Sequence, residues 1–317
     1  EYGLRNAISS YLHQARGIHC HPDQIIIGAG SDYLLMLLTT VIGNCHKVAL
    51  ENPTYGQAYR LFERLSYEVC TVDMDQSGMR IDELEKSGAD IAFVMPSHQY
   101  PLGCVMPIQR RMELLKWADG AEDRYIIEDD YDSEFRLTGK PIPSLQSMDI
   151  TQKVIYINTF TKSLSCTMRI SYMVLPPELA NRFLEQLSFY SCTVSNFEQY
   201  ALMRFINEGY FEKHINRMRN FYHKQRDILL DAIKRSPLSS HVTIMEEDSG
   251  LHFLLKLKME ISDKEFMQRA LQKGVKLNSL SAYYHDSPDD FAAHTFIINY
   301  SYLNTEHLAE AINVLYD

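Results

Sequence analysis

Lys162 stands in the string TFTKS at 159–163, among small polar residues just past an apolar run. A lysine so placed can condense with an aldehyde to a Schiff base, although alone it reads equally as a solvated surface amine. Asp129 closes another apolar run, inside EDDYDSE at 128–134. A carboxylate at a strand end can hold a pyridinium N–H; in isolation the same string is an acidic loop. Tyr131 follows two residues later, on the same side of an extended chain, where its hydroxyl can reach a phenolate oxygen. Arg169 comes seven residues after Lys162. With Ser31, Thr159 and Thr161 it can clamp a phosphate, a task suited to a planar guanidinium. Each residue alone is a weak signal, but together they describe a site for pyridoxal phosphate.

Such residues act together only if the fold brings them together. The stretch from Gln24 to Gly43 reads as a strand (Ile25 to Ile27), a glycine turn (Gly28-Ala29-Gly30) and an apolar helix capped by Ser31 and Asp32. That order presents free backbone N–H groups to an anion. Strand and helix patterns then alternate: strands at 47–50, 67–72, 90–95, 124–128, 153–158 and 170–175, with helices at 55–65, 81–86 and 110–119. The alternation predicts an open, mostly parallel α/β sheet of seven strands flanked by helices. Ligands bind at the carboxyl ends of such strands. The strings found there are GAGSD, NPTYG, PSHQYPLG, EDDYDSE and TFTKS. After Pro176 come long helical patterns at 177–190, 196–208 and 210–235, then strands and helices of a smaller α+β domain. The division is expected inside the long helix, giving a large domain over 1–220 and a small one over 221–317.

Composition narrows the classes. The 317 residues are 45% hydrophobic and 23% charged, as in ordinary globular chains. No apolar run approaches the roughly 18 residues of a membrane helix, and no signal-peptide pattern appears, so a cytoplasmic protein with no membrane contact is expected. The first residue is Glu rather than Met. The formal charge of −10 disfavours direct phosphate contact with nucleic acid. Six scattered cysteines, without a CxxC pair, read as reduced small hydrophobes, and no metal site is expected.

Longer strings carry a family resemblance: VMPSHQYPLG at 94–103, Arg110-Arg111 with Leu114-Leu115, IIEDDYDSEFR at 126–136, YINTFTKSLSCTMRISYMVLP at 156–176 and GYFEKHINRMRNFYHKQR at 209–226. Over essentially its whole length the chain resembles a fold type I aminotransferase, and more narrowly the C-terminal effector domain of MocR/GabR-type transcription regulators. The resemblance implies that Lys162 carries pyridoxal 5′-phosphate as a Schiff base, with Asp129 on the pyridine nitrogen and Tyr131 on the 3′ oxygen. Gly30, Ser31 and Asp32 would form the phosphate cradle with Thr159, Thr161 and Arg169, and Tyr55 would stack on the ring. It further implies a homodimer, and a winged-helix segment upstream of residue 1 that contacts DNA.

The chain departs from those families in three places. Tyr100 stands where aminotransferases place an Asn. Gln57 replaces the Arg found two residues after the stacking Tyr in GABA sensors. In LSAYY at 280–284, Ala282 replaces the Arg that grips a substrate carboxylate. Gln57, His98, His252, Ala282 and Tyr284 are the expected effector-pocket positions, the histidines and Tyr284 being equally readable as structural residues. The expected function is effector sensing: either pyridoxal phosphate itself or an amine-bearing ligand that forms an external aldimine. A free-standing aminotransferase is the alternative, residual half-transamination is compatible with sensing, and a cofactor-free structural relic is the third reading.

Overall fold

The computed structural model describes residues 1–43, 45–137, 142–248, 250–286, 288 and 290–316. Its central strands arise where aliphatic and β-branched residues run without polar interruption, the pattern of strands buried on both faces, whereas the strand Glu68–Asp75 mixes polar and apolar residues and is largely unburied. Eight belong to one sheet: β1 (Ile25–Gly28), β2 (Lys47–Asn52), β3 (Glu68–Asp75), β4 (Gly78–Met79), β5 (Ile91–Val94), β6 (Tyr125–Asp129), β7 (Val154–Thr159) and β8 (Ser171–Val174). Their order is β1-β8-β7-β6-β5-β2-β3-β4. Strands β7, β6, β5, β2 and β3 form a continuous parallel ladder. β8 runs against both of its neighbours, which leaves β1 parallel to β7. The seven expected strands are all present. β4 is a two-residue hairpin return on β3, too short to leave a periodic signal.

Alternation along each strand sends side chains to two separate cores. Phe93, Ile127 and Ile155 face the helices Ser31–Ile42, Gly56–Arg64 and Pro177–Leu187, packing with Leu34, Leu38, Phe62 and Leu179. Their neighbours Val94, Ile126 and Val154 face the helix Ile108–Asp119, packing with Leu114 and the buried Trp117. A sheet sandwiched in this way holds the ends of its strands rigidly.

The second sheet is antiparallel: β9 (Val242–Met245), β10 (His252–Leu257), β11 (Asn278–Ser279) and β12 (Thr295–Asn299), in the order β11-β12-β10-β9. The 26-residue helix Tyr210–Arg235 precedes it and buries Phe211, Ile215, Tyr222, Leu229 and Ile233 along one stripe. These residues share one core with the helix Tyr2–Arg16, with β1 and β8, and with β10 and β12. Residues on both sides of position 220 therefore pack into the same cluster. Among the described residues no helix is long and apolar enough to cross a membrane.

Candidate functional site

The carboxyl ends of β1, β2, β5, β6 and β7 open onto a cavity of about 390 Å³. Ser31 and Asp32 enter from the helix after β1, Tyr55 and Gln57 from the start of the helix Gly56–Arg64 after β2, and Tyr100 from the loop after β5. Asp129 and Tyr131 come from the end of β6. Thr159 comes from the end of β7, Thr161 and Lys162 from the short helix Phe160–Ser163 that follows, and Arg169 from the approach to β8. The strings that sequence analysis assigns to one site thus meet in one place. Leu251, His252 and Asn299 close it from the second sheet.

One end of the cavity is built for an anion. Gly30 precedes the 12-residue helix Ser31–Ile42 at φ 106° and ψ 158°. A Cβ placed on it would lie 2.4 Å from Arg169 Nη2 and 3.2 Å from Cζ. The absent side chain is the space that the guanidinium occupies, at a helix start where backbone N–H groups are unpaired. Across from it, the Thr159 hydroxyl accepts from the Thr161 N–H at 3.1 Å and from the Ser171 hydroxyl at 2.8 Å.

The lining carries three buried oxygens without a hydrogen-bond partner, Asp129 Oδ1, the Tyr131 hydroxyl and Asp132 Oδ2. Burial pushes the Asp129 carboxyl up to about 7, and the charges of Asp130, Asp132 and Asp32 add to the effect. Burial likewise raises the Tyr131 hydroxyl well above its ordinary range, helped by Asp132 and Asp129. Asp130, between them in sequence, turns the other way. It pairs with Arg16 at 2.9 Å and accepts from the hydroxyls of Tyr156 at 2.6 Å, Ser133 at 2.7 Å and Ser97. Burial alone would raise its pKa, but Arg16 and those donors hold it below the usual carboxylate range. Glu128 also faces away, taking backbone N–H bonds from Leu145 and Gln146, both at 2.9 Å.

The aromatic wall centres on Tyr100. Its hydroxyl lies 3.0 Å from that of Tyr283. Its ring meets Tyr55, His252 and Tyr283 edge to face at centroid distances of 6.1, 5.3 and 5.4 Å. Tyr55 in turn donates its hydroxyl to Gln57 Oε1.

Three expected pocket residues lie outside this lining. His98 is buried behind it: its Nδ1 sits 2.8 Å from Asp132 Oδ1, and it borders a separate cavity of about 270 Å³ with Arg16, Ser97 and Glu134. Ala282 is exposed on the 3-10 turn Leu280–Tyr283. Tyr284 packs against the cluster of Leu254, Leu280 and Ile297. In each case a neighbour reaches the site instead, Asp132 in the lining and Tyr283 through Tyr100. Asp132, Tyr283 and Asn299 were not singled out from sequence. Asn299 ends β12, so the strand-end rule applied to the second sheet points to it. Among the described residues no cluster of side chains suits a metal ion.

No family model matches the chain. Over 289 residues it is 44% identical to the uncharacterized HTH-type transcriptional regulator YdeL of Bacillus subtilis, covering 91% of this chain and 62% of that protein. Over 313 residues it is 32% identical to the probable rhizopine catabolism regulatory protein MocR of Rhizobium meliloti, covering 98% of this chain and 62% of that one. The chain therefore spans about three-fifths of the length of the curated regulators it matches. Among solved structures it resembles the kynurenine aminotransferase of Pyrococcus horikoshii in complex with PMP, at a TM-score of 0.84 and 29% identity. That match covers 99% of this chain and 79% of the enzyme.

Proposed function

From a chain with the fold type I aminotransferase architecture, related over most of its length to MocR-type transcription regulators, we propose the effector-sensing part of such a regulator, with pyridoxal 5′-phosphate held at Lys162. The observation that carries the proposal is the pair of orphaned atoms, Asp129 Oδ1 and the Tyr131 hydroxyl, on the floor of the cavity that Lys162 lines. Leaving such groups unsatisfied costs about 1–3 kcal/mol each. A ligand ring with a protonated nitrogen and an adjacent oxygen satisfies both.

In this reading Asp129 takes the ring N–H and Tyr131 donates to the ring oxygen. Tyr55 stacks on the ring face, and Tyr100 closes the far edge. Arg169, Thr159, Thr161 and the backbone at Gly30, Ser31 and Asp32 bind the phosphate. Bound here, the cofactor supplies an aldehyde that exchanges one amine for another. Lys162 is the amine it attaches to and the amine that an incoming ligand releases. The effector is either an amine-bearing ligand or the cofactor itself. Residues 1–220 bind the cofactor and 221–317 close over it. DNA contact belongs to a helix-turn-helix segment elsewhere in a cytoplasmic protein, consistent with the −10 formal charge of this chain. In this reading the protein pairs with a second copy of itself.

The alternative, a free-standing aminotransferase, is disfavoured by the cations of the cavity. Among the described residues Lys162 and Arg169 are the lysine and arginine that line it, and in this reading both are committed to the cofactor, so a substrate carboxylate meets no second guanidinium there. The test is the visible spectrum of the chain with added pyridoxal phosphate. The native chain should show a bound-cofactor band that Lys162→Ala abolishes and that amines shift without keto-acid production. Steady turnover of an amino acid would establish an enzyme instead, and absence of any band would refute cofactor binding.

A further inference from the structure

We infer that the part of this cavity left free by the cofactor selects primary amines that carry no carboxylate, with Gln57, Asn299 and His252 meeting an uncharged, hydroxyl-bearing remainder; the inference rests on the cofactor reading given above.

Holding a carboxylate inside a cavity calls for a fixed cation, and a guanidinium does so best. Arg169 is pressed onto Gly30 at the phosphate end, and Lys162 is the anchoring amine. The third basic side chain in the lining is His252. Its Nε2 lies 3.0 Å from the carbonyl oxygen of Pro101, which can only accept, so Nε2 carries the proton and Nδ1 is an acceptor. Burial lowers the pKa of this ring and keeps it neutral. Beside Asp129, which the cofactor engages, two further carboxyl side chains, Asp32 and Asp132, line the same cavity. Their field opposes an incoming carboxylate and favours an incoming ammonium group.

What remains at the mouth is polar and uncharged. Gln57 Oε1 already accepts from the Tyr55 hydroxyl, leaving its amide nitrogen as a donor. Asn299 Oδ1 accepts from the Ser301 N–H at 2.9 Å and from the Ser301 hydroxyl at 2.6 Å, which also leaves the amide nitrogen. Two neutral donors and one neutral acceptor suit hydroxyl groups. Of the three, His252 is buried, where an acceptor left unmatched is costly, so its Nδ1 discriminates against purely apolar amines, while the exposed Gln57 and Asn299 exchange water for a ligand hydroxyl.

The test titrates the chain loaded with pyridoxal phosphate against 4-aminobutan-1-ol and against 4-aminobutyrate, which share a carbon chain and an amine. The alcohol should shift the visible band at a concentration about tenfold or more below that of the carboxylate, a difference of roughly 1.4 kcal/mol. Gln57→Arg, at an exposed position, should narrow or reverse that preference by improving the carboxylate alone. A native chain that responds to the carboxylate at an equal or lower concentration overturns the inference, as does one whose bound cofactor responds to neither amine. An unchanged preference in Gln57→Arg removes Gln57 from the ligand's side of the cavity and overturns its assigned role. If no band forms with added pyridoxal phosphate, the cofactor reading itself fails and this inference fails with it.

Discussion

Replacing Gly30 by Ala tests the phosphate cradle at a single atom. Gly30 has φ 106° and ψ 158°, and Gly43, at the other end of the same helix, has φ 96° and ψ 168°. Both lie in a region open essentially to glycine alone, where a side chain costs about 1–3 kcal/mol. They differ in their surroundings. A Cβ on Gly43 meets nothing within 4 Å, whereas on Gly30 it collides with Arg169 Nη2 at 2.4 Å. Gly43→Ala should therefore cost stability, about 1–3 kcal/mol, and leave cofactor affinity alone. Gly30→Ala should cost a similar amount and also push the guanidinium off the phosphate. A hydrogen bond to a charged group is worth about 1.5–3 kcal/mol, so pyridoxal phosphate should bind roughly ten- to a hundredfold more weakly. Denaturant unfolding of the cofactor-free chain, read from the buried and only tryptophan, Trp117, gives the first quantity. Spectral titration with pyridoxal phosphate gives the second. Native affinity in Gly30→Ala would refute the claim that Arg169 and Gly30 hold the phosphate together.

Asp129 has a folded pKa of about 7 against roughly 3.9 in an unfolded chain. The folded form thus binds more protons between those values, and stability falls as pH rises from about 4 to about 7 and then levels off. Asp129→Asn should stabilise the cofactor-free chain at pH 8 by a few kcal/mol, on the order of 4 at most, do little at pH 4, and weaken cofactor binding; an equal effect at both pH values contradicts the assignment. Tyr131→Phe removes a buried hydroxyl that has no partner, so the cofactor-free chain should gain about 1–3 kcal/mol of unfolding free energy while cofactor affinity drops, and unchanged affinity counts against its role. Arg16→Leu strands the buried carboxylate of Asp130, paired with it at 2.9 Å, and should cost about 3–5 kcal/mol in denaturant unfolding. A cost below about 1 kcal/mol would mean that water reaches Asp130 when the arginine is gone.

The parallel sheet was legible because uninterrupted aliphatic runs such as IAFV and VIYI read as strands, and the polar strings after them mark strand ends. What sequence reading could not separate was the two sides of one such string. EDDYDSE looks like a single acidic set, yet alternation at the end of β6 divides Glu128, Asp129 and Asp130, and the turn that follows brings both Tyr131 and Asp132 to the cavity. Asp129 and Tyr131 face the cavity without partners, while Glu128 and Asp130 face backbone N–H groups, Arg16 and Tyr156. Arg16 lies more than a hundred residues earlier in the chain, and no local pattern announces that contact. His98 was misplaced for the same reason, since its only signal was proximity to a strand end, and Asp132 claims its ring from behind. Ala282 went astray by one residue: the turn at 280–283 presents Tyr283 to Tyr100 and leaves Ala282 in solvent. The alternation also carries a functional consequence. The satisfied side of the string fixes β6 in the fold, which is what permits the other side to hold two polar groups unsatisfied until a ligand meets them. Substitutions at Glu128 and Asp130 should therefore destabilise the chain, whereas those at Asp129 and Tyr131 should stabilise the cofactor-free chain and weaken binding, although the four are consecutive in the chain.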